Sequence, residues 1–349
     1  MDERIRVASM TRLRIGADGE GVRTVVFLYG CPLNCFWCCN PENRFGSEYR
    51  DLTEVELYDC IRRDIPYFVA TAGGITFSGG EPLLCADFLS RFIRERCKGF
   101  SVDLETSLQS DPAAVRALAG SVHVWNVDMK CPDPVRHRKY TGLSNSQILE
   151  NLRLLAELVP PERIIITYPM IPGYNDRPGD LREMVRIMKE LGLFQLEIHP
   201  YRSYAEKKHR DLGRSATHVR RITVWDEWRV RRFFEKRGIR VIRRSTYYGH
   251  EKCDYLKSVR SALIRAHGVD LTIPECTYMG PCTGTCPACE GELEVIGRSM
   301  CTLPPMSPDP VQSGLADMMG EAVLDYSRLD PLNDFFVRID RYTEPPKKL

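Results

Sequence analysis

An apolar strand that leads directly into a group of cysteines is the most informative stretch of this sequence. Residues 23–41 read RTVVFLYGCPLNCFWCCNP. The first part of this stretch is apolar and β-branched, which predicts a buried parallel strand. Three cysteines follow the strand within eight residues, at Cys31, Cys35 and Cys38. In a parallel barrel such a loop lies at the carboxyl ends of the strands, where active sites form.

Strand and helix patterns alternate along the first 245 residues. Short apolar runs predict strands at 23–28, 75–78, 101–105, 122–129, 164–170, 196–200 and 240–242. Apolar residues at helical spacing predict helices at 54–63, 87–96, 147–158 and 180–191. Thr53 and Glu56 can form a capping box, Ser146 can cap the third helix, and Gly192 can end the fourth. The alternation implies right-handed crossovers and a parallel sheet. The predicted fold class is α/β, with about six βα units that would close most of an eight-unit TIM-type barrel.

The character of the sequence changes after Ser245. Residues 246–300 contain five cysteines and few apolar runs, so we expect a segment that buries little core and needs metal to fold. Residues 303–310 are rich in proline, which predicts an extended linker. We therefore predict a barrel at 1–245, a small cysteine-rich metal-binding domain at 246–300, and a linker with a tail at 301–349.

Composition excludes several classes of protein. Lys and Arg number 49 against 47 Asp and Glu, a net charge of +2 that gives no sign of a nucleic-acid or anionic-membrane partner. No apolar run is long enough to span a membrane, and the charged start is not a secretory signal. The sequence contains 14 cysteines, a high number for a chain whose thiols are kept reduced. Packing alone does not account for so many. We expect a cytoplasmic protein whose thiols are reduced and bind metal.

The first cysteine group fits an iron–sulfur cluster. Thiolates suit both iron–sulfur clusters and zinc. A [4Fe–4S] cluster normally takes four cysteines, so three from one loop would leave one iron open to another ligand. A structural zinc knuckle with Cys39 as fourth ligand also fits this spacing.

The second cysteine group lies in the C-terminal segment. Cys276, Cys282, Cys286 and Cys289 follow the pattern C-x5-C-x3-C-x2-C. Four thiolates are enough to saturate a second [4Fe–4S] cluster. Zinc is the alternative metal, because Cys286 and Cys289 have the spacing of a zinc knuckle.

Several segments together resemble the radical SAM superfamily. The resemblance covers about residues 15–215 and is closest to the branch of glycyl-radical-enzyme activating enzymes. The segments, in order, are residues 19–42, TFSGGEPLL at 76–84, LETS at 104–107, VDMK at 127–130, TGLSN at 141–145, IPGYND at 171–176 and PYR at 200–202. The resemblance implies a partial (βα)6 barrel and a [4Fe–4S] cluster whose open iron binds S-adenosylmethionine. Reductive cleavage of that cofactor would give a 5′-deoxyadenosyl radical that abstracts hydrogen.

The resemblance also implies roles for individual residues. The three loop cysteines would bind the cluster, and Trp37 would lie near the adenine of the cofactor. Lys130 would face the cofactor carboxylate and is a candidate catalytic residue. The other implied cofactor contacts are the Ser78-Gly79-Gly80-Glu81-Pro82 motif, Glu105, Asp128 and His199.

Departures from the branch decide how the functions are ranked. Cys39 stands where an activating enzyme usually has histidine, and the chain adds about 100 residues that carry the second cysteine group. The first hypothesis is therefore a tailoring enzyme for a small polar metabolite, sugar- or nucleoside-like and acidic. Its reaction would be decarboxylation, as in cytosylglucuronate decarboxylases, or dehydrogenation or epimerisation in antibiotic biosynthesis, with lyase or oxidoreductase activity.

Two other functions remain open on the sequence. The first alternative is a glycyl-radical-enzyme activating enzyme, whose partner is a glycyl radical enzyme, and the second is a peptide-modifying maturase. Each would take its electron from a reduced flavodoxin or ferredoxin. Cys253 is a candidate catalytic residue, since radical SAM epimerases use a lone cysteine to return a hydrogen atom. An inert cysteine is the other interpretation of Cys253.

Overall fold

One open sheet carries most of the fold in the computed structural model, which describes residues 4–16, 18–203, 205–215, 219–242, 249–274, 276 and 284–302. Its strands are β1 Ile5–Ile15, β2 Val22–Leu28, β3 Arg50–Leu52, β4 Gly74–Gly79, β5 Ser101–Thr106, β6 Val124–Asp128, β7 Ile164–Met170, β8 Gln195–Pro200 and β9 Arg240–Ile242. They lie in the order β3-β1-β2-β4-β5-β6-β7-β8-β9.

The parallel part of the sheet is the predicted partial barrel. Every neighbouring pair from β2 to β9 is parallel, and these strands are the seven that the apolar runs predict. Strands β1 and β3 extend the sheet by antiparallel pairing beside β2. Within the described residues, β3 and β9 are the two edges, so the sheet curves without closing.

Strand β1 was not expected from its sequence, because its charges conceal an alternating pattern. Ile5 and Val7 are buried, whereas Arg6 between them is exposed. An antiparallel strand at the side of a sheet can keep one face in water. Its charged start is therefore compatible with a strand of eleven residues.

Helices flank the strands of the barrel. Their bounds are α1 Glu42–Phe45, α2 Glu54–Ile61, α3 Ile65–Ala70, α4 Ala86–Arg96, α5 Pro112–Ala119, α6 Pro134–Thr141, α7 Ser146–Leu158, α8 Pro178–Glu190, α9 Ala205–Asp211, α10 Val224–Glu235, α11 Gly249–His267 and α12 Pro287–Thr302. Short 3-10 turns occupy Arg62–Asp64, Pro82–Cys85 and Pro161–Arg163. None of the helices in the described part of the chain combines the length and apolar character of a membrane span.

The helix starts confirm one predicted cap and correct another. Thr53 and Glu56 form the predicted capping box at α2. At α7, Ser146 is the first helical residue, and Asn145 occupies the cap position without a side-chain cap. The Asn145 amide instead donates to the carbonyl oxygens of Cys131 and Pro132. The Asn145 side chain is therefore used in tertiary hydrogen bonds and does not cap α7.

Removing the α2 capping box should have a small, measurable effect on stability. We expect Thr53→Ala to lower the free energy of unfolding by about 1 kcal/mol, because the Glu56 backbone amide loses its acceptor. Denaturant titration followed by circular dichroism would measure the change. Ser47→Ala, at an exposed position outside any helix, is the control and should stay within about 0.5 kcal/mol of wild type. Equal losses in both variants would contradict the assignment.

A buried ion pair occupies the amino-terminal end of the barrel. The guanidinium of Arg23 lies 3.1 Å from Asp103, and both side chains are at most 3% exposed. Arg23 also donates to Thr76 Oγ1 at 2.7 Å and to the Ile75 carbonyl at 2.6 Å. A Cβ on Gly19 would lie 2.5 Å from the Asp103 carboxylate, so only glycine fits there. This end of the barrel is filled by protein, and a ligand must approach from the carboxyl ends of the strands.

Helices α11 and α12 pack on the outside of the barrel against β1, β2 and α3. They bury an apolar cluster made of Leu13, Ile15, Val22, Tyr67, Ala70, Leu256, Val259, Ala262, Leu263, Leu293 and Ile296. The expectation that residues 246–300 bury little core is therefore wrong for the described part of that segment. Its apolar residues are spaced by three or four positions along α11, so they form a helix stripe rather than an apolar run.

Candidate active site

The cysteine loop follows β2 and is tied to neighbouring loops by backbone hydrogen bonds. The amide of Gly80 donates to the Leu28 carbonyl at 2.8 Å, and the amide of Glu81 donates to the Gly30 carbonyl at 2.7 Å. On the other side, the Asn34 amide donates to the Thr141 carbonyl at 2.6 Å. The loop after β4 and the loop after α6 therefore hold the cysteine loop in place.

Close backbone approach explains the two glycines of the motif after β4. Gly79 has φ +100°, and a Cβ there would lie 2.5 Å from the Leu28 amide nitrogen. A Cβ on Gly80 would lie 1.9 Å from the Gly30 carbonyl oxygen. No side chain fits in either place, so these glycines bring the motif into contact with the base of the cysteine loop.

The thiols of the three loop cysteines, Cys31, Cys35 and Cys38, are close enough for the charge of one to shift the pKa of another. Burial raises the pKa of the Cys31 and Cys35 thiols to about 12. The neighbouring cysteine charges raise the pKa of Cys35 further, whereas the Lys130 ammonium lowers it. Thiols must lose their protons to bind metal, so the nearby ammonium favours ligation.

The chemistry of the three loop cysteines fits an iron–sulfur cluster. Among the described residues, no group of three histidine, cysteine or carboxylate side chains is found that could hold a single metal ion. Thiolates are the usual ligands of a [4Fe–4S] cluster, so the loop provides the donor type that such a cluster takes.

Trp37 belongs to a group of aromatic rings beneath the loop. Its side chain is buried, and its ring centroid lies 4.6 Å from Phe36 in an edge contact. Tyr140 and Tyr174 complete the group. These contacts fix the ring beside the cysteines, while its contact with adenine stays a prediction.

A polar cluster extends from the cysteines along the carboxyl ends of β6 and β7. Lys130 Nζ lies 2.6 Å from Asp128 Oδ2, and Thr167 Oγ1 donates to the other Asp128 oxygen. Burial opposes the charge of Lys130, but Asp128 and the loop cysteines outweigh it and raise the pKa of Lys130 above its usual range. Lys130 is therefore a fixed positive charge between Asp128 and the cysteines.

Carboxylates and an imidazole from other strands complete the polar cluster. Burial and the charge of Asp18 raise the pKa of Glu105 to about 7, and Ser78 Oγ donates to Glu105. His199 lies 3.3 Å from Glu197. Burial lowers the pKa of His199, but Glu197 and other carboxylates raise it to about 9. The His199 side chain is nevertheless 44% accessible, so solvent reaches this edge of the cluster.

Asp18 is a member of this cluster that the sequence reasoning missed. It lies between β1 and β2, forms an ion pair with Arg14, and is close enough to Glu105 and His199 to alter their titration. The signal in the sequence is an acid placed directly before Gly19, at a turn that only glycine can make. Without β1 in the predicted fold, nothing placed this acid inside the barrel.

Glu81 is engaged entirely by the protein. Its carboxylate accepts from Thr106 Oγ1, from both the amide and the hydroxyl of Ser107, and from the Leu83 amide. Burial raises the pKa of Glu81, whereas these donors lower it. The side chain joins the loops after β4 and β5, and Pro82 beside it starts a 3-10 turn.

Helix α9 also contacts the cysteine loop, which the sequence did not predict. His209 Nε2 lies 2.9 Å from the Cys38 carbonyl oxygen, and Lys208 Nζ lies 3.2 Å from the Cys39 carbonyl oxygen. Arg214 donates to Asn34 Oδ1 at 2.6 Å. A basic helix therefore crosses the loop on the side away from the glycine motif.

The structure does not place the described C-terminal cysteines, Cys276, Cys286 and Cys289, with this site. Cys286 is exposed directly before α12, and Cys289 is buried one turn further along. The Cys289 sulfur lies 3.6 Å from Arg260 on α11. Cys276 is exposed, and Cys282 lies outside the described residues. Cys253 is buried on α11, in the layer outside the barrel, and the structure does not place it with the cysteine loop.

Comparison with known proteins decides the family. The profile of the Radical SAM superfamily matches residues 25–185. Pyruvate formate-lyase 2-activating enzyme of Escherichia coli (strain K12) is 30% identical over 273 residues, which cover 69% of this chain and 92% of that protein. The chain belongs to the radical SAM superfamily. The cysteine loop of this radical SAM protein follows β2 and the glycine motif lies at the end of β4. Both are therefore at the carboxyl ends of the barrel strands.

Other relatives of this radical SAM protein belong to the same branch. Pyruvate formate-lyase-activating enzyme of Staphylococcus epidermidis is 33% identical over 205 residues, which cover 56% of this chain and 81% of the relative. Indoleacetate decarboxylase activating enzyme of Tractidigestivibacter scatoligenes is 28% identical over 263 residues, covering 56% and 83%. The predicted resemblance to activating enzymes is confirmed. Membership of the radical SAM superfamily implies a [4Fe–4S] cluster with S-adenosylmethionine.

Proposed function

We propose that this radical SAM enzyme activates a glycyl radical enzyme by removing a hydrogen atom from a glycine of that partner. The observation that carries the proposal is the match to an activating enzyme along 92% of that protein's length. Relatives at lower coverage of this chain are also activating enzymes, and the enzymes that they activate differ from one another. This range of partners makes activation the common property.

Exposed apolar side chains around the cysteine loop support a protein partner. Phe45, Leu84 and Leu143 are large apolar residues that are 39%, 54% and 39% exposed. Leu84 lies against Gly30 at the base of the loop, and Leu143 follows Gly142, which lies against Asn34 of the loop. Exposed apolar residues that lie together are typical of an interaction surface. A partner protein that reaches the cysteine loop from either side would cover exposed apolar side chains there.

The roles of the site residues follow from this proposal. Cys31, Cys35 and Cys38 would hold the cluster, which supplies the electron that cleaves bound S-adenosylmethionine. Lys130 would bind the carboxylate of S-adenosylmethionine. Asp128, whose Oδ2 lies 2.6 Å from Lys130 Nζ, would fix the position of the Lys130 ammonium. The backbone of Gly79 and Gly80, with Ser78 and Glu105, would receive the cofactor ammonium. Glu81 and Pro82 would act by shaping this turn, and Trp37 and His199 would contact the adenosine part.

The hypothesis of a small-metabolite tailoring enzyme has less support. It rested on the second cysteine group. Of this group, Cys289 lies on α12 and Cys286 directly precedes it, and α12 packs with α11 against β1, β2 and α3 outside the barrel. The relatives favour activation, so decarboxylation, dehydrogenation or epimerisation in antibiotic biosynthesis has no support beyond the original sequence pattern.

A spectroscopic assay would test activation directly. The reconstituted protein is mixed anaerobically with S-adenosylmethionine, a reductant and a glycyl radical enzyme encoded beside it. We expect a glycyl doublet in the electron paramagnetic resonance spectrum and one 5′-deoxyadenosine per radical formed. The control is the same partner with its radical glycine replaced by alanine, which should give no doublet. Steady 5′-deoxyadenosine formation with a small acidic sugar or nucleoside, and none with the partner, would contradict the proposal.

The C-terminal cysteines are proposed as a second metal site of structural character. Cys286 and Cys289 lie one helical turn apart at the start of α12, which is an arrangement that metal-binding pairs use. Glu290 in the same turn forms ion pairs with Arg12 on β1 and with Arg63. Metal held here would fasten α12 to the barrel wall, and it would lie outside the polar cluster that receives the cofactor.

A further inference from the structure

Helix α9 reaches the cysteine loop through one buried imidazole. His209 is 3% exposed, and its Nε2 lies 2.9 Å from the carbonyl oxygen of Cys38. This carbonyl belongs to the peptide that joins Cys38 to Cys39, directly after the third cysteine of the group. His209 and Cys38 are 171 residues apart in the chain, so their contact depends on how the barrel folds rather than on the loop itself.

Two neighbours fix the proton of the His209 ring. A carbonyl oxygen can only accept a hydrogen bond, so Nε2 must carry the proton that it donates to Cys38. On the other side of the ring, Arg214 Nε lies 3.3 Å from His209 Nδ1. A guanidinium can only donate, so Nδ1 must accept and carries no proton. Both contacts require the same neutral tautomer.

Arg214 connects this imidazole to a second point of the same loop. Its guanidinium donates to Asn34 Oδ1 at 2.6 Å and lies 3.9 Å from the centroid of the Phe45 ring. Lys208, next to His209, forms an ion pair with Glu42 just beyond the loop. The ring is thus held from both sides and cannot turn without breaking a contact to the loop.

We propose that His209 is a positioning residue for the iron–sulfur cluster, which fixes the Cys38 peptide and so holds the third thiolate against its iron. Partners that orient metal ligands from outside the first coordination layer typically change metal affinity by about 10–100-fold when they are removed. The inference needs the cluster that the family implies, and it is independent of the proposed partner protein.

Iron release to a chelator tests this role without any catalytic assay. Reconstituted protein is mixed anaerobically with excess ferrous chelator, and the absorbance of the iron complex is followed. We expect His209→Ala to release iron about 10-fold faster than wild type. His209→Gln should stay within about 3-fold of wild type, because its amide can donate to the same carbonyl. Lys207→Ala, on the exposed face of the same helix, is the matched control and should not change the rate.

A separate measurement distinguishes positioning from general destabilisation. Thermal unfolding of the metal-free proteins should give similar midpoints for His209→Gln and Lys207→Ala. If His209→Ala fails to fold, Arg214→Leu serves instead, since it frees the ring to adopt the tautomer that cannot donate to Cys38. Arg214→Leu should then release iron faster than His209→Gln. Wild-type release from folded His209→Ala, or equally fast release from the alanine and glutamine variants, would overturn the proposal.

Discussion

Replacing Cys31, Cys35 and Cys38 together by alanine should abolish the cleavage of S-adenosylmethionine and remove about four irons per chain. The physical reason is that these are the described cysteines placed between the glycine motif and Lys130. Iron and zinc analysis after anaerobic reconstitution, with 5′-deoxyadenosine measured by chromatography, would show both effects.

The same variant also reports on the C-terminal cysteines. About four irons left in the triple variant would establish a second cluster, whereas one retained zinc would establish a structural zinc site. Cys97→Ala is the matched control, because Cys97 is buried at the end of α4 and lies outside both cysteine groups. It should keep full iron content and full cleavage. Undiminished cleavage in the triple variant would contradict the assignment of the cluster to this loop.

Glu81→Ala should strongly destabilise the fold. Alanine leaves Thr106, both polar groups of Ser107 and the Leu83 amide without the acceptor that now receives them. Each buried donor left unsatisfied costs about 1–3 kcal/mol, although hydroxyls can turn to other acceptors. We expect a loss of about 3–5 kcal/mol in the free energy of unfolding, measured on the metal-free protein by denaturant titration.

Glu81→Gln separates the loss of shape from the loss of charge. The amide has the same size, and its oxygen can still accept from two of the donors. We therefore expect the glutamine variant to lose less than half of what the alanine variant loses. A loss below about 1 kcal/mol for Glu81→Ala would mean that the loops after β4 and β5 are held together by other contacts.

The sequence was sufficient to predict the parallel part of the fold. Buried parallel strands are mostly apolar, so β2 and β4 to β8 stand out locally, and the short apolar run at β9 was also found. Strand β1 was missed, because half of its side chains face water and its arginines hide the alternation. Missing β1 also removed Asp18 from the predicted site, since that acid is placed by the turn between β1 and β2.

The candidate site was predictable where its residues follow one another in short motifs. The loop cysteines, the glycine motif and the segment from Asp128 to Lys130 each lie at the end of one strand. His209 lies on a helix that follows β8 and Arg214 lies just beyond the end of that helix, and no local sequence pattern predicts their contacts with the same loop. The relatives support the alternative function, activation, better than the metabolite hypothesis that the sequence ranked first. Sequence spacing could not show that Cys286 and Cys289 belong to the helical layer outside the barrel.

The way the cysteine loop is anchored has a consequence for how the protein matures. In small metal-dependent modules the ligands meet only when metal arrives, so binding and folding are one event. Here backbone bonds from Gly80, Glu81 and Asn34 fix the loop through the protein alone. Inserting the iron–sulfur cluster orders few additional residues, so the loss of conformational entropy that opposes insertion is small. The polypeptide can therefore fold first, and the cluster-assembly machinery can insert iron and sulfide afterwards.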